Sequence, residues 1–101
     1  MSDQETKQPE IITRRLLIHG KVQGVYYRAS AQTEALKLKL SGWVRNLQSG
    51  DVEALVSGPE DAVDTFIDWT RQGPPAARVL RVEVSAADAP GPGLFSLRPD
   101  A

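Results

Sequence analysis

The stretch Gly42-Trp43-Val44-Arg45-Asn46-Leu47-Gln48-Ser49-Gly50-Asp51-Val52-Glu53-Ala54-Leu55-Val56-Ser57-Gly58-Pro59-Glu60-Asp61 reads as two strands followed by the start of a helix. Gly42 to Leu47 and Asp51 to Ser57 are the strand candidates. Gln48-Ser49-Gly50 between them has hairpin length, with a glycine where a positive φ is expected. Pro59 suits the first helical position, and Glu60 and Asp61 complement the helix dipole. Val63, Phe66, Ile67 and Thr70 then line one face until Gly73-Pro74 stops the helix.

Working outward, Ile11 to His19 sets Arg14, Leu16 and Ile18 against Arg15, Leu17 and His19, the alternation of a first strand ending at Gly20. A helix begins near Tyr27. Tyr27, Ala31, Ala35 and Leu38 form its buried stripe, Gln32, Glu34 and Lys37 face water, and the small alanines allow close approach to a sheet. Toward the C-terminus, Val79 to Ser85 sets Leu80, Val82 and Val84 against Arg81 and Glu83, a strand with one buried face. The loop Ala89-Pro90-Gly91-Pro92-Gly93 leads to a short last strand, Leu94 to Arg98, with Phe95 and Leu97 on one side. The order β-α-β-β-α-β, plus that short strand, predicts an α+β fold: a ferredoxin-like sandwich with two helices on one face of an antiparallel sheet. The expected organisation is a disordered polar tail over 1–10, one domain over 11–98, and a C-terminal tail over 99–101.

A chain of 101 residues has room for one core. Its net charge of -1 argues against binding a nucleic-acid backbone, which needs a concentrated excess of Lys and Arg, so any anion site must be local. The absence of cysteine excludes disulfides, thiolate metal sites and a phosphocysteine intermediate, and a single histidine excludes a multi-histidine metal cage. No apolar run has the length of a signal peptide core or a membrane span, so a cytoplasmic protein with no membrane partner is expected.

The segment Gly20-Lys21-Val22-Gln23-Gly24-Val25-Tyr26-Tyr27-Arg28 is a glycine-bounded loop opening onto a helix. Backbone N–H groups in such a loop, with the helix N-terminus behind them, suit a phosphate, and Arg28 adds a guanidinium that does not change protonation. Spacing alone leaves another reading open, in which Gly20 and Gly24 serve only the turn and Arg28 is a surface arginine. Neither G-x-x-x-x-G-K-[ST] nor G-x-G-x-x-G is present.

That loop resembles the signature of the acylphosphatase family. Gly42-Trp43-Val44-Arg45-Asn46 with Gly50, Val52 and Gly58 resembles the family's second signature at its own spacing, and the similarity extends over about residues 12 to 98. The resemblance implies the same sandwich fold and hydrolysis of small acyl phosphates to a carboxylate and inorganic phosphate, without metal or organic cofactor. It implies that Arg28 binds phosphate, that Asn46 positions the attacking water, and that the backbone amides from Lys21 to Tyr26 (Lys21, Val22, Gln23, Gly24, Val25, Tyr26) hold the phosphoryl oxygens. A monomer is expected. The competing reading is a non-catalytic domain of this fold that binds phosphate or an acyl phosphate, or serves a partner protein. An RNA-binding domain of the same topology is disfavoured because Asp51 to Ser57 offers two acids and no aromatic platform.

His19 is expected to be an exposed side chain on the open face of the sheet, and Trp43 and Trp69 to be packing residues, the latter partly buried. Tyr27 stands where the family commonly has phenylalanine or methionine, so its hydroxyl needs a partner or a route to solvent. Lys39 stands where family members often carry glycine, at a position suited to a left-handed helix cap.

Overall fold

The computed structural model describes residues 10–101; the tail expected over 1–10 lies, Glu10 apart, outside the described residues. The elements run β1 (Ile11–Lys21), α1 (Tyr27–Lys37), β2 (Ser41–Asn46), β3 (Val52–Pro59), α2 (Glu60–Thr70), β4 (Arg78–Ala86) and β5 (Ser96–Leu97). The sheet order is β4-β1-β3-β2-β5, and both helices pack on one face, which gives the ferredoxin-like α+β sandwich. Every pairing is antiparallel except β2 with β5. The chain leaves β4 at one edge and crosses to the other, so β5 enters in the direction of β2.

Registers define rows of side chains beneath the helices. Leu16, Ala54 and Val44 form one row; Ile18, Val52 and Asn46 form the next. Of these six only Asn46 is polar, so an amide ends an otherwise apolar row at the rim of the core. Against the rows lie Tyr27, Ala31 and Ala35 from α1 and Val63, Phe66, Ile67 and Thr70 from α2, all buried as the periodicity predicts. Phe95 closes the core, its ring 5.7 Å from that of Phe66. Each such large apolar side chain contributes about 1.5–3 kcal/mol by leaving water. Gln32 departs from expectation: it is half-buried and donates to the Phe95 carbonyl at 3.2 Å.

Pro59 is not the first helical residue but the N-cap of α2. With φ -58 and ψ 145 it stays extended and still pairs with Ile11. β4 differs more. His19 faces Arg81 while Gly20 faces Val79, so Leu80 is an extra residue in the outer strand. This bulge shifts the phase of the alternation. Val79 and Val82 are half-buried, Leu80 is 78% exposed instead of buried, and Val84, at the uncovered sheet edge, is 40% exposed. Phe95 and Leu97 also part company, at 1% and 45% exposure.

On the open face Glu53 is buried between Arg15 at 2.5 Å and Arg45 at 2.7 Å. Burial pushes its carboxyl pKa up, but hydrogen bonds and charge from Arg45 and Arg15 outweigh that and hold it below the ordinary value. His19 also lies on this face, yet only 16% of its side chain is exposed, because Asp51 (3.0 Å) and Glu83 hold its two ring nitrogens. Trp43 lies under the guanidinium groups of Arg45 and Arg98, at 4.9 and 4.7 Å.

Helix α1 ends on a left-handed residue. Leu40 N donates to Ala35 O and Lys39 N to Leu36 O, while Lys39 has φ 59, the arrangement of a Schellman cap with lysine in the usual glycine position. Lys39→Gly should therefore be neutral to stabilising by up to about 1 kcal/mol, because a side chain is strained there. Thermal unfolding checks it; a clear loss of melting temperature would contradict the cap.

Candidate active site

The segment between β1 and α1 is anchored by two buried valines, Val22 and Val25, with Gln23 and Gly24 between them. Gly24 has φ 73 and Tyr26, the N-cap of α1, has φ 63 and ψ 25. A non-glycine residue in that region costs about 1–2 kcal/mol, so the backbone is held there by its surroundings. Among the described residues no acceptor meets the N–H groups of Gln23, Gly24, Val25 or Tyr26, and those of Tyr27, Arg28 and Ala29 open the helix unpaired. Such a run of free donors at a helix N-terminus favours an anion.

The side chain of Gln23 ties this loop to the β2–β3 hairpin. Its amide donates to Leu47 O at 2.8 Å and Asp51 O at 2.9 Å, immediately beyond Asn46. Tyr27 ties the other end: its hydroxyl donates to Thr70 O at 2.6 Å and its ring packs 5.4 Å from Trp69. That answers the need created by tyrosine at this position. Burial outweighs the hydrogen bond and raises the phenol's pKa well above its ordinary value, so it stays protonated.

A cavity of about 360 Å³ opens where these parts meet. The loop contributes Val22, Gln23 and Gly24 to its wall, the head of the helix Tyr26, Tyr27, Arg28 and Ala29, and the sheet Asn46 and Leu97. Arg28 is partly exposed, with Nη1 3.4 Å from Asp100 Oδ1. Asn46 Oδ1 is buried and accepts no hydrogen bond among the described residues. An unpaired buried polar atom of this kind costs about 1–3 kcal/mol.

Of the residues proposed from sequence, Val22, Gln23, Gly24, Tyr26, Arg28 and Asn46 line this one cavity. Lys21 and Val25 do not: Lys21 is exposed at the end of β1 opposite Arg78, and Val25 is in the core. Ala29, Leu97 and Asp100 were not anticipated. Ala29 follows Arg28 in the same turn and could have been inferred, whereas Leu97 and Asp100 carry no local signal. They arrive because the final segment runs beside β2, with Arg98 N donating to Val44 O, Ala101 N to Asn46 O, and Gln48 N to Ala101 O.

Fold and cavity together define a small α+β sandwich with a donor-rich loop facing a strand-borne amide. The family model for acylphosphatase matches residues 14–96. An acylphosphatase of Acidovorax sp. (strain JS42) is 62% identical over 78 residues, 77% of this chain and 80% of that one, and an acylphosphatase of Azoarcus sp. (strain BH72) is 58% identical over 86% and 90%. The solved acylphosphatase of Coxiella burnetii superposes with a TM-score of 0.84 at 34% identity, covering 97% of this chain and all of that one. The chain belongs to the acylphosphatase family and is an enzyme of that class. Its substrate is an acyl phosphate and its product inorganic phosphate. Among the described residues no helix is long and apolar enough to cross a membrane.

Proposed function

We propose that this chain hydrolyses the carboxyl-phosphate bond by direct attack of water, with Arg28 and the loop amides holding the phosphoryl group, Asn46 orienting the water, and no metal taking part. The observation that carries this reading is one cavity lined by both Arg28 and Asn46, the latter with a buried oxygen that has no partner. An asparagine amide donates and accepts, so it can hold a water in one orientation without acting as a base. The guanidinium and the N–H groups supply fixed positive charge for the equatorial oxygens.

In the step itself the water oxygen forms a bond to phosphorus as the bond from phosphorus to the acyl oxygen breaks. The electron pair leaves with the carboxylate, already a good leaving group that needs no strong acid. The water proton passes to a phosphoryl oxygen, since no side chain assigned to the reaction is a base. A pH-rate profile showing an essential enzymic base near neutrality would refute that transfer.

Steady-state hydrolysis of benzoyl phosphate, with and without a chelator, tests the reading. Turnover is expected in both. No turnover would leave only anion binding, and loss on chelation would require a metal. Arg28→Lys should lower kcat/KM about 10²-fold and weaken phosphate inhibition about tenfold, because an ammonium cannot reproduce the planar fork. Unchanged phosphate inhibition would remove Arg28 from the binding role.

A further inference from the structure

Two tyrosines stand side by side at the head of α1 and do opposite things. Tyr27 is 1% exposed and its hydroxyl is bonded; Tyr26 is 83% exposed, and among the described residues its hydroxyl makes no hydrogen bond. Tyr26 also occupies a left-handed backbone position that glycine or asparagine would fill with less strain. Neither packing nor internal hydrogen bonding accounts for a large aromatic ring there. Its surroundings do: Tyr26 and Leu97, two exposed large apolar residues far apart in sequence, line the same cavity.

The cavity is larger than its anion end requires. At about 30 Å³ per water, 360 Å³ is room for roughly a dozen waters, and a phosphoryl group displaces only a few. We propose, resting on the acyl-phosphate reading above, that Tyr26 and Leu97 form an apolar shelf that receives the acyl group and selects acyl phosphates carrying an aromatic or comparably large apolar acyl group over the smallest ones. A flat ring seated there covers two side chains otherwise left in water, and a methyl group covers little of either. Discrimination should appear in KM rather than kcat, because the shelf touches a part of the substrate that does not react.

The test compares acetyl phosphate with benzoyl phosphate, and methylphosphonate with phenylphosphonate as ligands that cannot be hydrolysed. The wild type should show a KM at least tenfold lower for benzoyl than for acetyl phosphate, and bind phenylphosphonate about tenfold more tightly than methylphosphonate by calorimetry. Tyr26→Gly, which suits the backbone, should shrink both ratios to within about twofold of unity; Leu97→Ala should reduce them about threefold; Tyr26→Trp should preserve them. Ratios that are near unity in the wild type, or unchanged in Tyr26→Gly and Leu97→Ala, overturn the shelf. A wild type that prefers phenylphosphonate but hydrolyses neither acyl phosphate keeps the shelf and sinks the hydrolytic mechanism. Hydrolysis of both substrates without preference does the reverse.

Discussion

Replacing Asn46 with alanine should lower kcat by about 10³-fold and leave inhibition by inorganic phosphate close to that of the wild type. The two readouts separate because the proposed roles separate: the phosphate end consists of the loop and Arg28, whereas the amide acts on the attacking water. A second consequence distinguishes this change from ordinary damage. The side chain ends an apolar row of Ile18 and Val52 and keeps a buried oxygen unpaired, so deleting it removes a cost rather than a support. The variant should unfold at the same temperature as the wild type or a higher one. Turnover within tenfold of normal would refute water positioning, and a clear loss of thermal stability would show that the amide is part of the fold.

Gly42→Ala should be strongly destabilising, by about 2–5 kcal/mol. Gly42 has φ +132 in a strand, and a Cβ there would fall onto the carbonyl of Leu55 in the neighbouring strand, a backbone atom that cannot turn aside. The estimate sums about 1–2 kcal/mol for the conformation and about 1–3 for overpacking. For a domain of this size that is a fall in Tm on the order of 10–40 °C. Gly50→Ala is the internal control: φ is +97, but nothing lies within 4 Å of the added carbon, so only the conformational cost remains. Equal losses in the two variants would mean that Leu55 yields.

Local signals were enough for much of the architecture. The stripe Val63, Phe66, Ile67 and Thr70 is buried as its spacing requires, Gly50 has the positive φ its turn position demands, and Lys39 is left-handed where a cap was expected. What escaped was set by neighbours. The alternation of Leu80, Val82 and Val84 contains no sign of a bulge, because the bulge arises where β4 must follow β1 past Gly20. His19 has the right face, but the carboxylates of Asp51 and Glu83 that cover it come from the β2–β3 connection and from β4. At the cavity, Arg28 and Asn46 stood out through the two motifs that carry them, and the loop suited an anion on chemical grounds alone. The side-chain bonds of Gln23 and the placement of Leu97 depend on which segments meet across the sheet, and no pattern within either segment encodes that.

The extra residue at Leu80 also bears on what the protein avoids. β4 is an outer strand, and a regular outer strand offers a row of free donors and acceptors on which another polypeptide can build. Here that row is broken at Leu80, and arginines at positions 78 and 81 flank the break. At the opposite border β5 is only two residues long. Both borders of the sheet are therefore poor seeds for intermolecular β-pairing, so that the irregularity which exposes a leucine also guards against fibril-like assembly.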